Sequence, residues 1–269
     1  MSEPVHDTAP HHSARPILAV KGLSKRFAIG EQTVEALRDV NLTINKGEFI
    51  CLIGASGCGK STMLRIIAGF ETASAGVVEM YGTPIAAPGP ERGMVFQDFA
   101  LFPWLTVKQN IGFGPHQRSL PADKLDEISM KYTEMVGLAK FADYYPAQLS
   151  GGMKQRVAIA RVLANDCEVL LMDEPFGALD ALTREKLQQE LLEIWERTKV
   201  TVIFVTHSVE EAVVLSDRIV VMTAGPGRIE NDARVPLTRP RDVSAIDFNQ
   251  VRRDITQRLT SHVSVKSAA

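Results

Sequence analysis

Residues 49–62, FICLIGASGCGKST, decide the fold of this chain. A short apolar run leads into a glycine-rich turn, and a periodic apolar stretch with Leu64, Ile67 and Ala68 follows. The run predicts a strand buried on both faces of a sheet, and the periodic stretch predicts a helix. Residues 54–62 match the pattern G-x-x-x-x-G-K-[ST], in which backbone N–H groups at a helix N-terminus surround phosphates. The stretch therefore predicts an α/β domain with a phosphate-binding loop.

Two side chains in this loop carry specific expectations. Lys60 is expected to reach the β- and γ-phosphates of a nucleotide, and the Ser61 hydroxyl to bind Mg²⁺. The alternative, a glycine-rich turn that happens to end in Lys-Ser, is disfavoured by the strand before it and the helix after it. Cys58 could be a reactive thiol beside Lys60, but the loop uses backbone groups there, so we predict a structural role. The candidate nucleotide-binding loop comprises Gly54, Ala55, Ser56, Gly57, Cys58, Gly59, Lys60, Ser61 and Thr62.

Outward from the loop, the chain alternates short apolar runs with helical stretches. The runs at 93–96, 169–172, 202–205 and 218–222 suit strands of a mainly parallel sheet. Helices after Ser150 and Asp180 complete the alternation. Nearer the N-terminus, partial alternation on either side of Gly30 predicts antiparallel strands. The fold class is an α/β phosphate-loop NTPase with an N-terminal antiparallel β subdomain.

The strand pattern is missing between residues 98 and 148, where "TVKQ" at 106–109 predicts a capping box and 122–142 also looks helical. We therefore predict a helical subdomain of about residues 98–155, inserted into an ATPase domain that spans 17–240. Residues 1–16 are polar and predicted to be a disordered tail. Residues 241–269 are predicted to form a C-terminal helix and tail.

The composition of the chain limits which partners it is expected to bind and where in the cell it is expected to be. The chain has 269 residues and a net charge of −2, so nothing indicates nucleic acid as the main partner. No apolar run is long enough to span a bilayer, and the polar, acidic N-terminus does not resemble a secretory signal. Cys51, Cys58 and Cys167 lack zinc-site spacing and fit a reducing compartment. We expect a cytoplasmic protein that can dock on a membrane protein.

Two adjacent carboxylates end the strand "VLLM" at 169–172. Ligands of open α/β sheets bind at the carboxyl ends of strands, so Asp173 is expected to face the phosphate loop and bind Mg²⁺. Glu174 is expected to accept a proton from the attacking water. The alternative is an exposed acidic turn before a proline; the phosphate loop favours the functional interpretation.

Polar side chains also end two further strands. His207 follows "VIFVT", and at that sheet edge we predict a γ-phosphate contact rather than a structural histidine. Gln97 follows "GMVF", and its amide is a candidate ligand of Mg²⁺ or of the attacking water. Ser208 with Glu211 predicts a capping box for the next helix.

The stretch 148–161, QLSGGMKQRVAIAR, resembles a second anion site. Ser150 is a good N-cap, and Gly151 and Gly152 leave the helix N-terminus open to an anion. The simpler alternative is helix capping alone.

Taken in order, these motifs resemble those of ATP-binding-cassette (ABC) ATPases over residues 17 to about 230. The resemblance implies ATP and Mg²⁺ as cofactors, a glutamine loop at Gln97, a signature at 149–156 and a loop ending at Asp180. It places Phe27 against adenine; the alternative is a core aromatic. Gly177 departs from the serine of many relatives, which does not threaten catalysis because Asp180 is present.

The resemblance also implies a homodimer in which two cassettes face each other head to tail. Ser150, Gly151 and Gly152 of one subunit then contact the γ-phosphate bound by Lys60 of the other. This arrangement would explain why one chain has two anion sites.

The apolar stretch 98–107, DFALFPWLTV, is either packing within the helical subdomain or a groove for an integral membrane permease subunit. The amino-acid sequence around it resembles that of ATPases from the nitrate, sulfonate, taurine and bicarbonate importer branch. That branch implies a peripheral protein on the cytoplasmic side of the inner membrane, and a periplasmic solute-binding protein as an indirect partner. Alternatives are an exporter ATPase, a soluble non-transport ABC protein and a nucleotide-binding module without turnover.

Overall fold

A computed structural model describes residues 16–177 and 179–261; most of the predicted N-terminal tail lies outside these ranges. The strands are Pro16–Ile29 (β1), Gln32–Asn45 (β2), Phe49–Gly54 (β3), Ala75–Met80 (β4), Thr83–Pro84 (β5), Arg92–Val95 (β6), Val169–Asp173 (β7), Thr201–Thr206 (β8), Arg218–Thr223 (β9) and Arg228–Arg234 (β10). The α-helices are Lys60–Ala68 (α1), Val107–Ile111 (α2), Phe113–Gln117 (α3), Ala122–Met135 (α4), Gly151–Leu163 (α5), Ala181–Thr198 (α6), Val209–Leu215 (α7) and Ile246–Ser261 (α8). Short 3₁₀ helices cover Ala139–Phe141 and Pro146–Gln148.

The strands form two sheets, and the predicted α/β class is confirmed. One sheet has the order β2-β1-β4-β5 and is antiparallel. The other has the order β10-β9-β3-β8-β7-β6, in which β10 is an antiparallel edge and the remaining neighbours are parallel. The sequence did not predict β4 and β5, because β4 starts at Ala75-Gly76, where glycine weakens the strand pattern, and β5 has only two residues.

The register of the parallel strands brings their carboxyl ends to one edge. Ile53 on β3 pairs with Thr206 on β8, and Val205 pairs with Asp173 on β7. Met172 in turn pairs with Val95 on β6. The residues that follow these strands are therefore neighbours, as the sequence predicted.

Alternate residues of β3 enter two different cores. Phe49, Cys51 and Ile53 pack with helices α5, α6 and α7, whereas Ile50 and Leu52 pack with α1 and the antiparallel sheet. These five side chains are fully buried. The sheet is therefore covered on both faces, as is usual for parallel strands.

Helices α2, α3 and α4 lie between β6 and α5, where the helical subdomain was expected. The predicted capping box of α2 is present, with Thr106 accepting from Gln109 N–H and the Gln109 side chain accepting from Thr106 N–H. Helix α8 occupies the predicted C-terminal helical segment and packs on α7. Among the described helices, none combines the length and hydropathy that a membrane crossing requires.

Candidate active site

The glycine-rich loop is held closely against its neighbours. Gly59, with φ of 90°, is the N-cap of α1, and a Cβ there would lie 2.5 Å from Cδ2 of Leu37. A Cβ on Gly54 would lie 2.4 Å from the Met222 carbonyl oxygen. Neither position accepts a larger residue without moving backbone or core atoms.

Lys60 is buried at the start of α1 and lies across this loop. Its Nζ donates to the carbonyl oxygens of Gly54 (2.8 Å) and Ala55 (3.2 Å), and lies 3.7 Å from Sγ of Cys58. Cys58 is fully buried, as a structural role requires. The ammonium group is therefore held at the mouth of the loop, where its charge can meet phosphate oxygens.

Ser61 and Asp173 face each other across the sheet edge. The Ser61 hydroxyl donates to Oδ1 of Asp173 at 2.8 Å. Burial raises the pKa of the Asp173 carboxyl, the Ser61 hydrogen bond opposes this, and the charge of Glu174 raises it further. A hydroxyl and a carboxylate are the oxygen donors that Mg²⁺ accepts beside substrate phosphates, so this pair fits a magnesium ion.

Glu174 and His207 form a second pair at the same edge. Oε2 of Glu174 lies 3.5 Å from Nδ1 of His207, and their side chains are 30% and 68% exposed. Glu174 adopts a left-handed φ of 47°, and its N–H donates to the Val205 carbonyl at 3.0 Å. A strained backbone held by a fixed partner is typical of a functional position.

The capping box predicted at Ser208 and Glu211 is only half formed. The Ser208 hydroxyl accepts from the Glu211 N–H at 3.2 Å, but the Glu211 carboxylate does not reach back to the helix start. It accepts instead from the Thr206 hydroxyl and from Gln188 at 3.1 Å. The prediction was wrong because these two donors, one of them from another helix, compete for the carboxylate.

Gln97 lies just beyond β6 and is exposed. Its Nε2 is 3.6 Å from the position that a Cβ on Gly177 would occupy. The amide therefore lies beside the turn that follows Glu174.

Arg161 of α5 holds the segment that follows Gln97. Phe99 and Ala100 both adopt left-handed backbone angles, with φ of 62° and 46°. The Arg161 guanidinium donates to the Ala100 carbonyl at 2.6 Å and to the Phe99 carbonyl at 3.1 Å, and lies 5.5 Å from the Phe102 ring centre. Burial lowers the pKa of this guanidinium. Sequence reasoning missed Arg161, because its partners come from another element.

Replacing Arg161 with methionine should lower the free energy of unfolding by about 2–3 kcal/mol, the range expected when a charged hydrogen-bond partner is lost. The Met side chain preserves the aliphatic packing, so the loss reports on the two carbonyl hydrogen bonds and on the contact with the Phe102 ring. Arg118→Met, which removes a more exposed ion pair with Asp166, is the control and should cost less than about 1 kcal/mol. Urea unfolding checks both; equal losses would contradict a special role for Arg161.

Ser150 is the N-cap of α5, and its hydroxyl accepts from the Met153 N–H at 3.3 Å. A Cβ on Gly151 would lie 3.1 Å from Cδ2 of Leu179, and one on Gly152 would lie 3.0 Å from Cγ2 of Thr183. The open helix N-terminus therefore packs beside the start of α6 in the same chain.

Asp180 is the N-cap of α6 and accepts from the Thr183 N–H at 3.0 Å, which lowers the pKa of its carboxyl. Phe27 lies near the end of β1, half-buried, with Nζ of Lys25 at 4.7 Å from its ring centre. Its contact with adenine stays a prediction.

Comparisons with known proteins agree with this geometry. A sequence profile of the family described as "ABC transporter" matches residues 37–177, more than half of the chain. An ABC transporter ATP-binding protein of Methanocaldococcus jannaschii is 52% identical over 91% of this chain and 92% of its own length. A nitrate import ATP-binding protein of Synechocystis is 46% identical over 82% of this chain and 83% of its own length. A taurine import ATP-binding protein of Jannaschia is 48% identical over 81% of this chain and 82% of its own length.

Among solved structures, the ATP-binding cassette MJ0796 is similar to this chain over the whole length of MJ0796. It superimposes with a TM-score of 0.71 at 34% identity, covering 82% of this chain and 100% of MJ0796. That structure is a dimer in a post-hydrolysis state, bound to ADP and Pi.

Proposed function

The chain belongs to the ABC transporter family, and from this premise we propose that it is the ATPase subunit of an importer for a small anionic solute. The observation that supports this most is the sheet edge itself. There Lys60 lies at the phosphate loop, and the Ser61–Asp173 and Glu174–His207 pairs follow neighbouring strands. This arrangement supports binding of one nucleoside triphosphate. The names of the nitrate and taurine import relatives support the solute class.

The residues at this edge have different roles in ATP hydrolysis. The loop N–H groups and Lys60 bind the phosphates. The Ser61–Asp173 pair would hold Mg²⁺, and the ion would supply positive charge against the charge that develops on the phosphates. Glu174 accepts a proton from water as the water oxygen bonds to the γ-phosphorus and the bond to the bridging oxygen breaks. His207 and Gln97 orient the water and the γ-phosphate.

The second anion site is assigned to another copy of the chain. The N-terminus of α5 carries a partial positive charge and open backbone N–H groups, yet its neighbours in its own chain are Leu179 and Thr183. In a head-to-tail homodimer it faces the γ-phosphate bound by the partner's loop. The dimeric cassette structures of MJ0796 support the formation of a dimer.

Replacing Ser61 with alanine should raise the Mg²⁺ concentration for half-maximal ATP turnover by at least about 10-fold, because even a supporting partner of a metal site is worth that much. Ser61→Thr keeps the hydroxyl and is the matched control. Magnesium titrations of both variants check this, and an unchanged requirement in Ser61→Ala would remove Ser61 from the metal site.

A groove in the helical subdomain is the proposed docking site for the permease. It has a volume of about 570 Å³. The Asn110 side chain, fully buried beside it, bonds to the backbone of Phe102 and Leu105 and so fixes its wall. Trp104 stands at its rim, 70% exposed. The lining includes Trp104, Lys108, Phe113, Leu125 and Asp126.

Trp104→Ser should reduce co-purification with membrane subunits from host membranes by at least about 10-fold, since exposed aromatic anchors commonly contribute 2 kcal/mol or more to an interface. Ile246→Ser, which also removes an exposed apolar side chain (83% exposed) but outside the groove, should have no effect. Quantitative mass spectrometry of the purified complex measures this. Loss of partners in both variants, or in neither, would contradict docking at Trp104. Recovery of the permease together with a periplasmic solute-binding protein tests the importer assignment.

A further inference from the structure

A buried carboxylate beneath His207 has no part in the reaction described above. Glu211 lies on α7 and is only 6% exposed. Its Oε2 accepts from the Thr206 hydroxyl, and its Oε1 accepts from Nε2 of Gln188 at 3.1 Å. Burying a carboxylate is costly unless it is paired, and burial raises the pKa of Glu211. A carboxylate kept at such a place needs a specific role.

Hydrogen bonds join Glu211 to both residues that flank His207. The Thr206 hydroxyl donates to Glu211 and accepts from the Ser208 N–H at 3.0 Å. On the other side, the Glu211 N–H donates to the Ser208 hydroxyl at 3.2 Å. The turn that carries His207 is thus fixed at both ends by one residue.

The same carboxylate links this turn to α6. Gln188, which donates to Glu211, belongs to α6, and so does Arg184. Arg184, Glu211 and His207 line one small cleft. The positive charge of Arg184 opposes the rise in the pKa of Glu211. Its Nη2 donates to the Leu179 carbonyl at 2.9 Å, in the loop before α6. The hydrogen-bonded network itself runs from Gln188 on α6 through Glu211 to the turn at His207.

The imidazole of His207 is otherwise weakly held. Its side chain is 68% exposed, and Glu174 is the partner at 3.5 Å. The direction of the ring consequently depends on the backbone of the turn, which the buried network sets.

We propose that Glu211 is a positioning residue for ATP hydrolysis, which fastens the turn 206–208 to α6 and so keeps His207 beside Glu174. This inference rests on the role proposed above for His207. Glu211 acts through Thr206 and Ser208.

The test compares steady-state kinetics of the purified full chain. Glu211→Ala should lower kcat for ATP by at least about 10-fold and leave KM within about two-fold, because a small misplacement of a catalytic group can cost up to 10²-fold in rate. Glu211→Gln should keep kcat within about three-fold of the unmodified chain. The new amide oxygen still accepts from Thr206, and the new NH₂ group donates to a reoriented Gln188 amide.

Thr206→Val extends the test with a change of similar volume. It should reduce kcat as much as Glu211→Ala does, and the double variant should lose little more, because residues of one network are not additive. A role in stability alone would change the urea midpoint without this pattern in kcat. Should Glu211→Ala fail to fold, Thr206→Val and Glu211→Gln carry the comparison.

His207→Ala separates the two proposals. If it lowers turnover while Glu211→Ala and Thr206→Val do not, the positioning role is wrong and the catalytic site stands. If His207→Ala leaves turnover unchanged, the role of His207 is wrong, and the inference about Glu211 falls with it. If Glu211→Gln loses as much kcat as Glu211→Ala, hydrogen-bond positioning is overturned.

Discussion

Replacing Glu174 with glutamine should lower ATP turnover by about 10²–10⁴-fold, the contribution that a general base typically makes. Glutamine has the same shape as glutamate and can keep the left-handed backbone and the N–H bond to Val205. What it loses is the ability to take a proton from water. Binding of ATP should therefore be unaffected.

The control for this variant is Glu193→Gln, on the exposed face of α6. Release of inorganic phosphate, followed with saturating ATP and Mg²⁺, measures both variants. Glu193→Gln should match the unmodified chain. Turnover of Glu174→Gln within about three-fold of normal would exclude Glu174 as the base, since removing a base costs far more than that.

Replacing Gly151 with aspartate should reduce turnover by at least about 100-fold, in line with the loss of one preorganised group that stabilises transition-state charge. The new carboxylate lies at the N-terminus of α5, where it cancels the partial positive charge of the helix and repels phosphate. The helix itself should form, because a Cβ at 151 meets only the flexible end of Leu179 at 3.1 Å.

Gly151→Ala is the matched control, because it adds the same Cβ without charge and should retain most of the activity. Binding of ATP to the dilute monomer should be normal in both variants, since Lys60 and its loop are untouched. Equilibrium binding of a fluorescent ATP analogue measures this. Loss of monomer binding in Gly151→Asp would mean that the signature serves the phosphate loop of its own chain.

Features that depend on local sequence were predictable. The phosphate loop needs a strand, glycines and a helix start in one short stretch, and all are present at residues 49–62. Because parallel strands end at a common edge, Asp173, Glu174, His207 and Gln97 could be grouped without a structure.

Features that depend on tertiary partners were not predictable. Arg161 looks like an ordinary polar residue of a helix, and its partners Phe99 and Ala100 lie in a distant loop. Glu211 matched a capping pattern, but Thr206 and Gln188 bind its carboxylate. In both cases a long side chain has several hydrogen-bond partners within reach, and the tertiary packing determines which of them it binds.

We propose that ATP hydrolysis occurs at a site shared by two copies of the chain. Light scattering after size exclusion of Glu174→Gln tests it most directly, with ATP and then with ADP in the buffer. We expect a dimer with ATP and a monomer with ADP. When Gly151→Asp is added, we expect a monomer that still binds ATP. A Glu174→Gln protein that stays monomeric with bound ATP, or a dimer that Gly151→Asp does not disturb, would contradict it.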